Sequence, residues 1–151
     1  MTTEATPAAT PDDRPLNTVD ALVQLSFLTQ RVLSLTGAEH DLSVVQIRLL
    51  GILRDRQAGM LELGGHLGLD KSSMTGLVTR AEKRGLVRRS PSPHDGRAVL
   101  VSLTPLGRRL TADCTAEITR RLTALTDRLT APQRDRLTEL ATALLDAPAA
   151  G

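Results

Sequence analysis

The chain has 151 residues, which suits one domain and excludes a large enzyme with a separate substrate domain. Hydrophobic residues make up 40% and charged residues 24%, close to globular averages, which argues against wholesale disorder, a collagen-like repeat or a disulfide framework. The formal net charge is only +2, but residues 71–109 contain nine basic and two acidic side chains, so this segment is +7 and the rest of the chain −5. Such separated charge favours a surface that faces a polyanion, most often nucleic acid, over a merely solvated basic face.

The apolar residue types and the single cysteine bear on fold and location. Phe27 is the only aromatic residue, so the core must consist of Leu, Val, Ile and Ala, a mixture that favours helices over aromatic-rich strands. Cys114 cannot form an internal disulfide, which is compatible with a reducing compartment. The longest apolar run, residues 98–101, is far shorter than the ~20 residues of a membrane-spanning helix, and the N-terminus lacks an apolar signal segment. We therefore expect a soluble, cytoplasmic protein.

The two ends of the chain differ in composition from its middle. Residues 1–16 hold three prolines among Thr, Ala and acidic residues, and residues 147–151 are similarly poor in large apolar side chains. Both segments are expected to be disordered tails. Apolar residues at helical spacing then predict a first helix over about residues 18–36 that ends at Gly37. Ser43 is a good N-cap for a second helix.

Two further helices are predicted toward the end of the chain. Thr104, followed by proline, can cap a long fifth helix, and Thr130 with Gln133 forms a capping box for the last one. Helices with leucine stripes cannot bury their apolar faces alone, so they must pack on each other, on the middle of the chain or on another subunit. The surplus of leucine at both ends predicts a homodimer held by about residues 16–36 and 110–146.

Residues 61–83 have the pattern of a helix-turn-helix. Gly68 stands at the turn between two leucine-bearing segments, and Gly64 gives room where the second helix would cross the first. Asp70 can cap that second helix. The buried side of the second helix is predicted to consist of Met74, Leu77, Val78 and Ala81.

The opposite side of this second helix carries short polar residues, bases and a glycine, namely Ser72, Ser73, Thr75, Gly76, Thr79, Arg80 and Lys83. An ordinary solvated helix would favour Glu, Lys and Gln there, and a mid-helix glycine costs about 1 kcal/mol relative to Ala. Small polar side chains allow a close approach to base edges in the major groove of DNA. The face is therefore predicted to contact DNA, the alternative being a helix that is merely soluble on its outer side.

After the second helix the pattern changes to that of strands. Residues 86–90 predict a short basic strand, and residues 99–103 alternate in a second one. Asp95 and Gly96 between them are a hairpin turn signal, and a helix-turn-helix followed by a hairpin is a winged helix. Arg97, at the tip, suits insertion into a narrow minor groove. Asp95 is expected to hold the guanidinium of Arg97 by a charge-assisted bond.

The chain resembles the multiple antibiotic resistance regulator (MarR) family of winged-helix transcription factors. The resemblance rests on LGLDKSSMTGLVTRAEKRGLVRR at residues 67–89 and on DGRAVLVSLTPLG at residues 95–107. It covers about residues 18–146. It implies an obligate homodimer that binds a pseudo-palindromic operator in double-stranded DNA, from which small anionic or phenolic ligands often release such proteins.

The fold expected from pattern and resemblance is mainly α with a small β-hairpin. A MarR-like domain is expected over residues 17–146, with a winged helix-turn-helix DNA-binding domain at residues 42–104. Long dimerisation helices at residues 17–37 and 105–146 would flank this winged helix. The segments before and after the domain are the predicted tails.

We predict a sequence-specific DNA-binding transcriptional regulator, a repressor released by a small-molecule effector. The alternatives are a constitutive DNA-binding protein without an effector and a helical interaction module with a relict winged helix. The residues predicted to contact DNA are Lys71, Ser72, Ser73, Thr75, Gly76, Thr79, Arg80, Lys83, Arg88, Arg89, His94, Asp95 and Arg97. The resemblance places an effector pocket where the first, second and fifth helices meet the winged helix, with candidate lining residues Phe27, Arg31, His40 and Arg48.

The remaining reactive residue types predict neither an enzyme nor a metal or cofactor site. Cys114 has no obvious partner and is expected to be a small buried hydrophobe. His40, His66 and His94 show no metal-ligand spacing with each other or with Cys114. The sequence shows no paired nucleophile and base, phosphate-binding glycine loop or convergent carboxylate set, so it does not favour an enzyme.

Overall fold

The computed structural model describes residues 14–148. They form six helices and three strands: α1 Thr18–Glu39, α2 Val44–Leu53, β1 Ala58–Gly59, α3 Met60–Leu67, α4 Lys71–Lys83, β2 Val87–Pro91, β3 Val99–Leu103, α5 Pro105–Thr126 and α6 Ala131–Leu145. The mainly α winged helix-turn-helix fold is thus confirmed. Of the predicted tails, residues 1–13 and 149–151 lie outside the described part of the chain.

Helix α1 continues past Gly37, where the sequence predicts its end, and stops at Glu39. Gly37 is buried, and a Cβ there would overlap the backbone carbonyl of Leu42. The Gly37 carbonyl accepts a hydrogen bond from the Leu42 N–H at 2.8 Å. The glycine therefore permits a close approach of the following turn and does not terminate the helix. In the turn after the helix, Asp41 has a positive φ of 55°.

Four helices begin at the caps that the sequence predicts. The capping residues are Ser43, Asp70, Thr104 and Thr130. At α2 the Ser43 side chain accepts from the backbone of Gln46, while the Gln46 side chain accepts from the backbone of Ser43. The Thr104 hydroxyl also donates to the carbonyl of Gly85 at 2.5 Å, which anchors the start of α5 beside the end of α4.

The sheet has three antiparallel strands in the order β1-β3-β2. The sequence predicts a two-stranded hairpin, and β1 is the added strand, with Ala58 opposite Val101. At two residues β1 is too short for an alternating pattern to announce it. Strand β2 begins one residue later than expected and pairs Val87 with Leu103.

The core lies between α2, α3, α4 and the sheet. The predicted buried stripe of α4 is confirmed, since Met74, Leu77, Val78 and Ala81 are at most 2% exposed. They pack with fully buried leucines of α2 and α3 and with valines of the sheet, namely Leu49, Leu50, Leu53, Leu63, Val87 and Val101. This core fixes the orientation of α4 and so determines which of its faces is presented to solvent.

The terminal helices leave large apolar faces uncovered in the single chain. On α1 the exposed residues include Val19, Leu22, Val23, Leu25, Phe27, Leu28 and Leu35, and on α6 Leu137, Leu140, Leu144 and Leu145. None of the residues of α6 is buried. Within residues 14–148, no helix combines the length and apolar character that crossing a membrane requires.

Candidate DNA-binding surface

Small residues and an N-terminal cap hold helix α4 close to α3. Gly68 has φ 65°, a left-handed conformation that glycine adopts without a Cβ penalty. A Cβ on Gly64 would lie 3.0 Å from the carbonyl oxygen of Leu69, so the predicted need for a small residue there is confirmed. The Asp70 carboxylate accepts from the Ser73 N–H at 2.7 Å, and this bond lowers the pKa of Asp70.

The outer face of α4 presents all eight of its residues that are predicted to contact DNA, namely Lys71, Ser72, Ser73, Thr75, Gly76, Thr79, Arg80 and Lys83. Gly76 and Thr79 are half-buried, and the other six are exposed. The Thr75 hydroxyl donates to the Lys71 carbonyl at 2.8 Å, so the hydroxyl oxygen keeps lone pairs that can accept from an outside donor. The face is therefore open to a partner along its whole length.

Arg89 joins strand β2 to α4. Its guanidinium donates to the Thr79 hydroxyl oxygen at 2.7 Å and more weakly to the Thr75 carbonyl at 3.4 Å. Its backbone N–H donates to the Glu82 carboxylate at 3.3 Å. The predicted DNA-contact residue thus lies on the α4 face, and it also fixes the wing relative to the helix.

Arg88 differs from its neighbour in the face of the sheet from which it projects. Side chains alternate across a strand, so Arg88 projects from the sheet face opposite to the one from which Arg89 reaches α4. Arg88 lies opposite Ser102 and lines a separate cleft with Arg54 and Arg108. The structure therefore separates Arg88 from the α4 surface, and its predicted contact with DNA stays a prediction.

The wing turn corrects the role expected for Asp95. Its carboxylate accepts from the backbone N–H of Arg97 at 3.0 Å, and its carbonyl accepts from the Ala98 N–H at 3.0 Å. Within residues 14–148 it makes no ion pair with the Arg97 guanidinium. Asp95 therefore shapes the turn through the backbone. His94, Asp95 and Arg97 are all exposed at the tip.

A cleft of about 1020 Å³ separates α3 and the start of α4 from the wing. Its walls are largely apolar, formed by residues that include Met60, Leu69 and Met74. Basic side chains of the predicted DNA surface also line it: Lys71, Arg89 and Arg97. A ligand in this cleft would contact both the helix and the wing.

Arg84, which no local sequence pattern singles out, fixes the far end of α4. Its guanidinium donates to the backbone oxygens of Asp41 at 2.6 Å and His40 at 3.0 Å. These bonds tie the C-terminus of α4 to the turn after α1. Because the partners are 43 and 44 residues away, no local sequence pattern could have indicated them.

The four predicted effector-pocket residues are not brought together in the described chain. Phe27 is 67% exposed and Arg31 is exposed on α1. Arg48 donates to the His66 carbonyl at 3.2 Å, and His40 is the C-cap residue of α1. A smaller cavity of about 210 Å³ between α2 and α5 is lined by other residues.

Cys114 lines that smaller cavity and is 4% exposed, which confirms the prediction of a small buried hydrophobe. Burial raises the pKa of the Cys114 thiol, and the carboxylates of Asp113 and Glu39 raise it further. The thiol is thus held in its less reactive, protonated form.

A helix-turn-helix whose second helix presents small polar residues, followed by a basic β-wing, defines the winged-helix class of DNA-binding domains. Residues 40–98 match the model of the MarR family. This match agrees with the resemblance at residues 67–89 and 95–107.

Two curated proteins that the chain resembles are named HTH-type transcriptional repressors. The chain is 37% identical over 68 residues to the HTH-type transcriptional repressor IacR of Pseudomonas putida, a match that covers 44% of this chain and 41% of IacR. It is 29% identical over 119 residues to the HTH-type transcriptional repressor NicR of Pseudomonas putida KT2440, covering 73% of each protein. The chain thus spans less than half the length of IacR, while its match to NicR is longer.

The fold agrees with a solved member of the family. Apo MarR from E. coli superposes with a TM-score of 0.76 at 26% sequence identity, over 88% of this chain and 99% of that chain. The similarity therefore includes the terminal helices as well as the winged helix.

Proposed function

We propose that the protein is a homodimeric, sequence-specific DNA-binding transcriptional regulator that acts as a repressor. The observation that carries this proposal is the continuity of the α4 face with the wing, which Arg89 joins through its bond to Thr79. This surface lies in the segment that carries +7 of formal charge. Backbone phosphates would provide much of the affinity for such a surface, and base edges would provide the specificity.

The helix and the wing would contact different parts of the duplex. The short side chains at the start of α4 would enter the major groove, where hydroxyls can bond to base edges. Arg97 at the wing tip would enter the adjacent minor groove. The proposed contact residues are Lys71, Ser72, Ser73, Thr75, Gly76, Thr79, Arg80, Lys83, Arg89, His94 and Arg97. Asp95 would support them by shaping the turn.

The homodimer is supported by the apolar faces that the single chain leaves open on α1 and α6. Exposed apolar patches larger than a few hundred Å² are uncommon on monomers and mark interaction surfaces. A two-fold interface formed by these helices would hold the two α4 helices at a separation that fits half-sites one DNA turn apart, about 34–36 Å.

The wing cleft is the place where we propose that an effector acts. Within residues 14–148, the cleft of about 1020 Å³ combines apolar walls with three cations, and none of the predicted pocket residues Phe27, Arg31, His40 and Arg48 lines it. An anionic, apolar ligand there would engage Arg89 and Arg97, which DNA also needs. Ligand and DNA would then compete, which would release the repressor.

The deciding experiment selects bound fragments from random duplex DNA and measures affinity for the selected site at several salt concentrations. We expect a two-fold symmetric site. Ser73→Ala should relax preference at particular bases, whereas Lys83→Ala should weaken all sequences alike and reduce the salt dependence. Association without sequence preference would contradict the proposal and favour an interaction module.

Screening aromatic acids against the DNA complex then separates a regulated repressor from a constitutive DNA-binding protein. An acid that weakens operator binding in wild type, and does so less in Arg89→Gln, would support the effector site. Operator affinity that no acid changes would favour the constitutive alternative.

A further inference from the structure

A second cationic cleft lies on the side of the sheet away from α4. It has a volume of about 270 Å³ and is bounded by the α2–β1 loop, the outer face of the sheet and the start of α5. Four arginines line it: Arg54, Arg56, Arg88 and Arg108. Asp55 is the one acidic residue in the lining, so the walls carry a formal charge of +3.

Two of these arginines have no anionic partner in the described chain. Asp55 pairs with Arg54 at 3.1 Å, and Arg56 pairs with Glu62 outside the cleft. Within residues 14–148, neither Arg88 nor Arg108 lies within ion-pair distance of a carboxylate. Their charges therefore contribute no ion pair to the folded state.

The start of α5 adds positive charge to the cleft. The N-terminus of a helix carries a partial positive charge, which acidic residues usually offset. The first turn of α5 contains no acidic residue, and Arg108 follows it directly. A basic side chain near this end of a helix is slightly unfavourable, and an anion bound beside it would offset that repulsion.

The cleft is separate from the proposed DNA surface. Arg88 and Arg89 project from opposite faces of β2, and Arg89 is the one that contacts α4. Ser102, which lines the cleft, is five residues along the chain from Arg97 at the wing tip, at most about 17 Å at strand spacing. A duplex that contacts α4 would therefore lie on the side of β2 opposite to Arg88 and the cleft.

We propose that this cleft binds a small free ligand that carries phosphate groups. Guanidinium groups bind phosphate oxygens through paired N–H donors, and several around one concavity suit an anion with more than one negative charge. The volume admits a diphosphate or a small phosphorylated metabolite and excludes a larger polyanion from the interior. Ser102 and Gln57 add polar groups to the lining.

The test is calorimetric titration of the full, DNA-free chain with inorganic pyrophosphate at fixed ionic strength. Saturable binding below about 1 mM is expected, and Arg88→Gln and Arg108→Gln should each weaken it about tenfold or more. The matched control is Arg109→Gln, which removes the same charge one residue further along α5, outside the cleft. This control should bind pyrophosphate like wild type, and thermal melts should show all variants folded.

Three results would overturn the proposal. One is the absence of saturable binding. Another is equal weakening by Arg109→Gln, which would indicate a general charge effect. The third is competition between pyrophosphate and operator DNA together with loss of DNA affinity in Arg88→Gln, which would assign the cleft to a phosphate of the DNA backbone. The titration uses DNA-free protein. It therefore tests pyrophosphate binding even if the protein does not bind DNA.

Discussion

At the scale of single residues, the wing shows how a backbone contact can replace an expected ion pair. Asp95 accepts from the backbone N–H of Arg97, so it sets the conformation of the turn, while the Arg97 side chain stays exposed. The two residues therefore support DNA binding in different ways. Arg97 would supply the contact, and Asp95 the shape of the loop that carries it.

This difference can be tested with two substitutions. Arg97→Ala should weaken operator binding by roughly 1–3 kcal/mol per half-site, by analogy with the loss of a good base contact, most strongly where flanks are A·T-rich. Asp95→Ala should lose part of that affinity, and Asp95→Asn should restore it, because an amide oxygen can also accept from the backbone. The measurement is the operator affinity of each variant at fixed salt, with dimerisation intact. Equal affinity of wild type and Arg97→Ala would refute the wing assignment.

The sequence predicts the recognition helix well and the strands less well, for physical reasons. The buried stripe of α4 follows from a 3.6-residue period over thirteen residues, a strong local signal. In the five-residue β2, the two-residue period puts Arg88 and Arg89 on opposite faces, but it does not show which face meets α4. The sequence therefore predicts DNA contact for both residues. Arg84 and β1 depend on contacts distant in sequence, which no local pattern encodes.

At the scale of elements, Arg84 couples the recognition helix to the turn after α1. Arg84→Gln should lower the free energy of unfolding by about 1 kcal/mol, since it loses hydrogen bonds from a charged donor at an exposed site. It should also weaken operator binding without changing its salt dependence. The matched control is Lys83→Gln, which removes the same charge and should reduce the salt dependence at unchanged stability. Denaturant melts and salt titrations of operator binding distinguish the two variants. A weaker salt dependence of operator binding in Arg84→Gln would indicate that Arg84 contacts a phosphate instead.

A second coupling joins α1 to α5 through Arg121, which also contacts Glu117 on α5. Arg121 donates to Thr36 at 3.0 Å and to Glu39 at 2.5 Å, and its Nε lies 2.6 Å from the Glu117 carboxylate. The hydrogen bond from Arg120 lowers the pKa of Glu117, with further lowering by both arginine charges.

Because the folded-state pKa of Glu117 lies below the unfolded value, its stabilisation is present above about pH 4.3 and is lost as the pH falls through the folded pKa. Glu117→Gln should therefore melt at a lower temperature than wild type near neutral pH, and the difference should shrink in acid. Glu139→Gln, which changes an exposed pair on α6, is the control and should show a smaller difference. A difference in melting temperature between Glu117→Gln and wild type that persists at low pH would contradict a stabilising role of the Glu117 carboxylate.

At the scale of the whole molecule, the winged helix has its own core, but the terminal helices do not. The buried residues concentrate in α2, α3, α4 and the sheet, whereas none of the residues of α6 is buried. Helices of this kind gain their stability from packing of their apolar face. A second subunit that covers α1 and α6 would supply this packing, so folding of the ends and dimerisation should be one process.

Leu140→Asp should therefore disrupt the dimer. Leu140 is 49% exposed in the single chain, on the same side of α6 as Leu137 and Leu144. A two-fold interface would bury Leu140 of both subunits, and burial of one leucine side chain contributes about 1.5–3 kcal/mol. Sedimentation equilibrium should show a dimer for wild type and a large shift toward monomer for the variant.

The matched control is Leu61→Asp, the same change at a leucine on α3 that is 93% exposed and lies outside the terminal helices. It should leave the dimer intact. Wild-type protein that sediments as a stable, folded monomer at micromolar concentration would refute the dimer. If instead the dimer forms and Leu140→Asp abolishes both dimerisation and two-fold operator binding, the apolar faces of the terminal helices set the spacing at which the two recognition helices meet DNA.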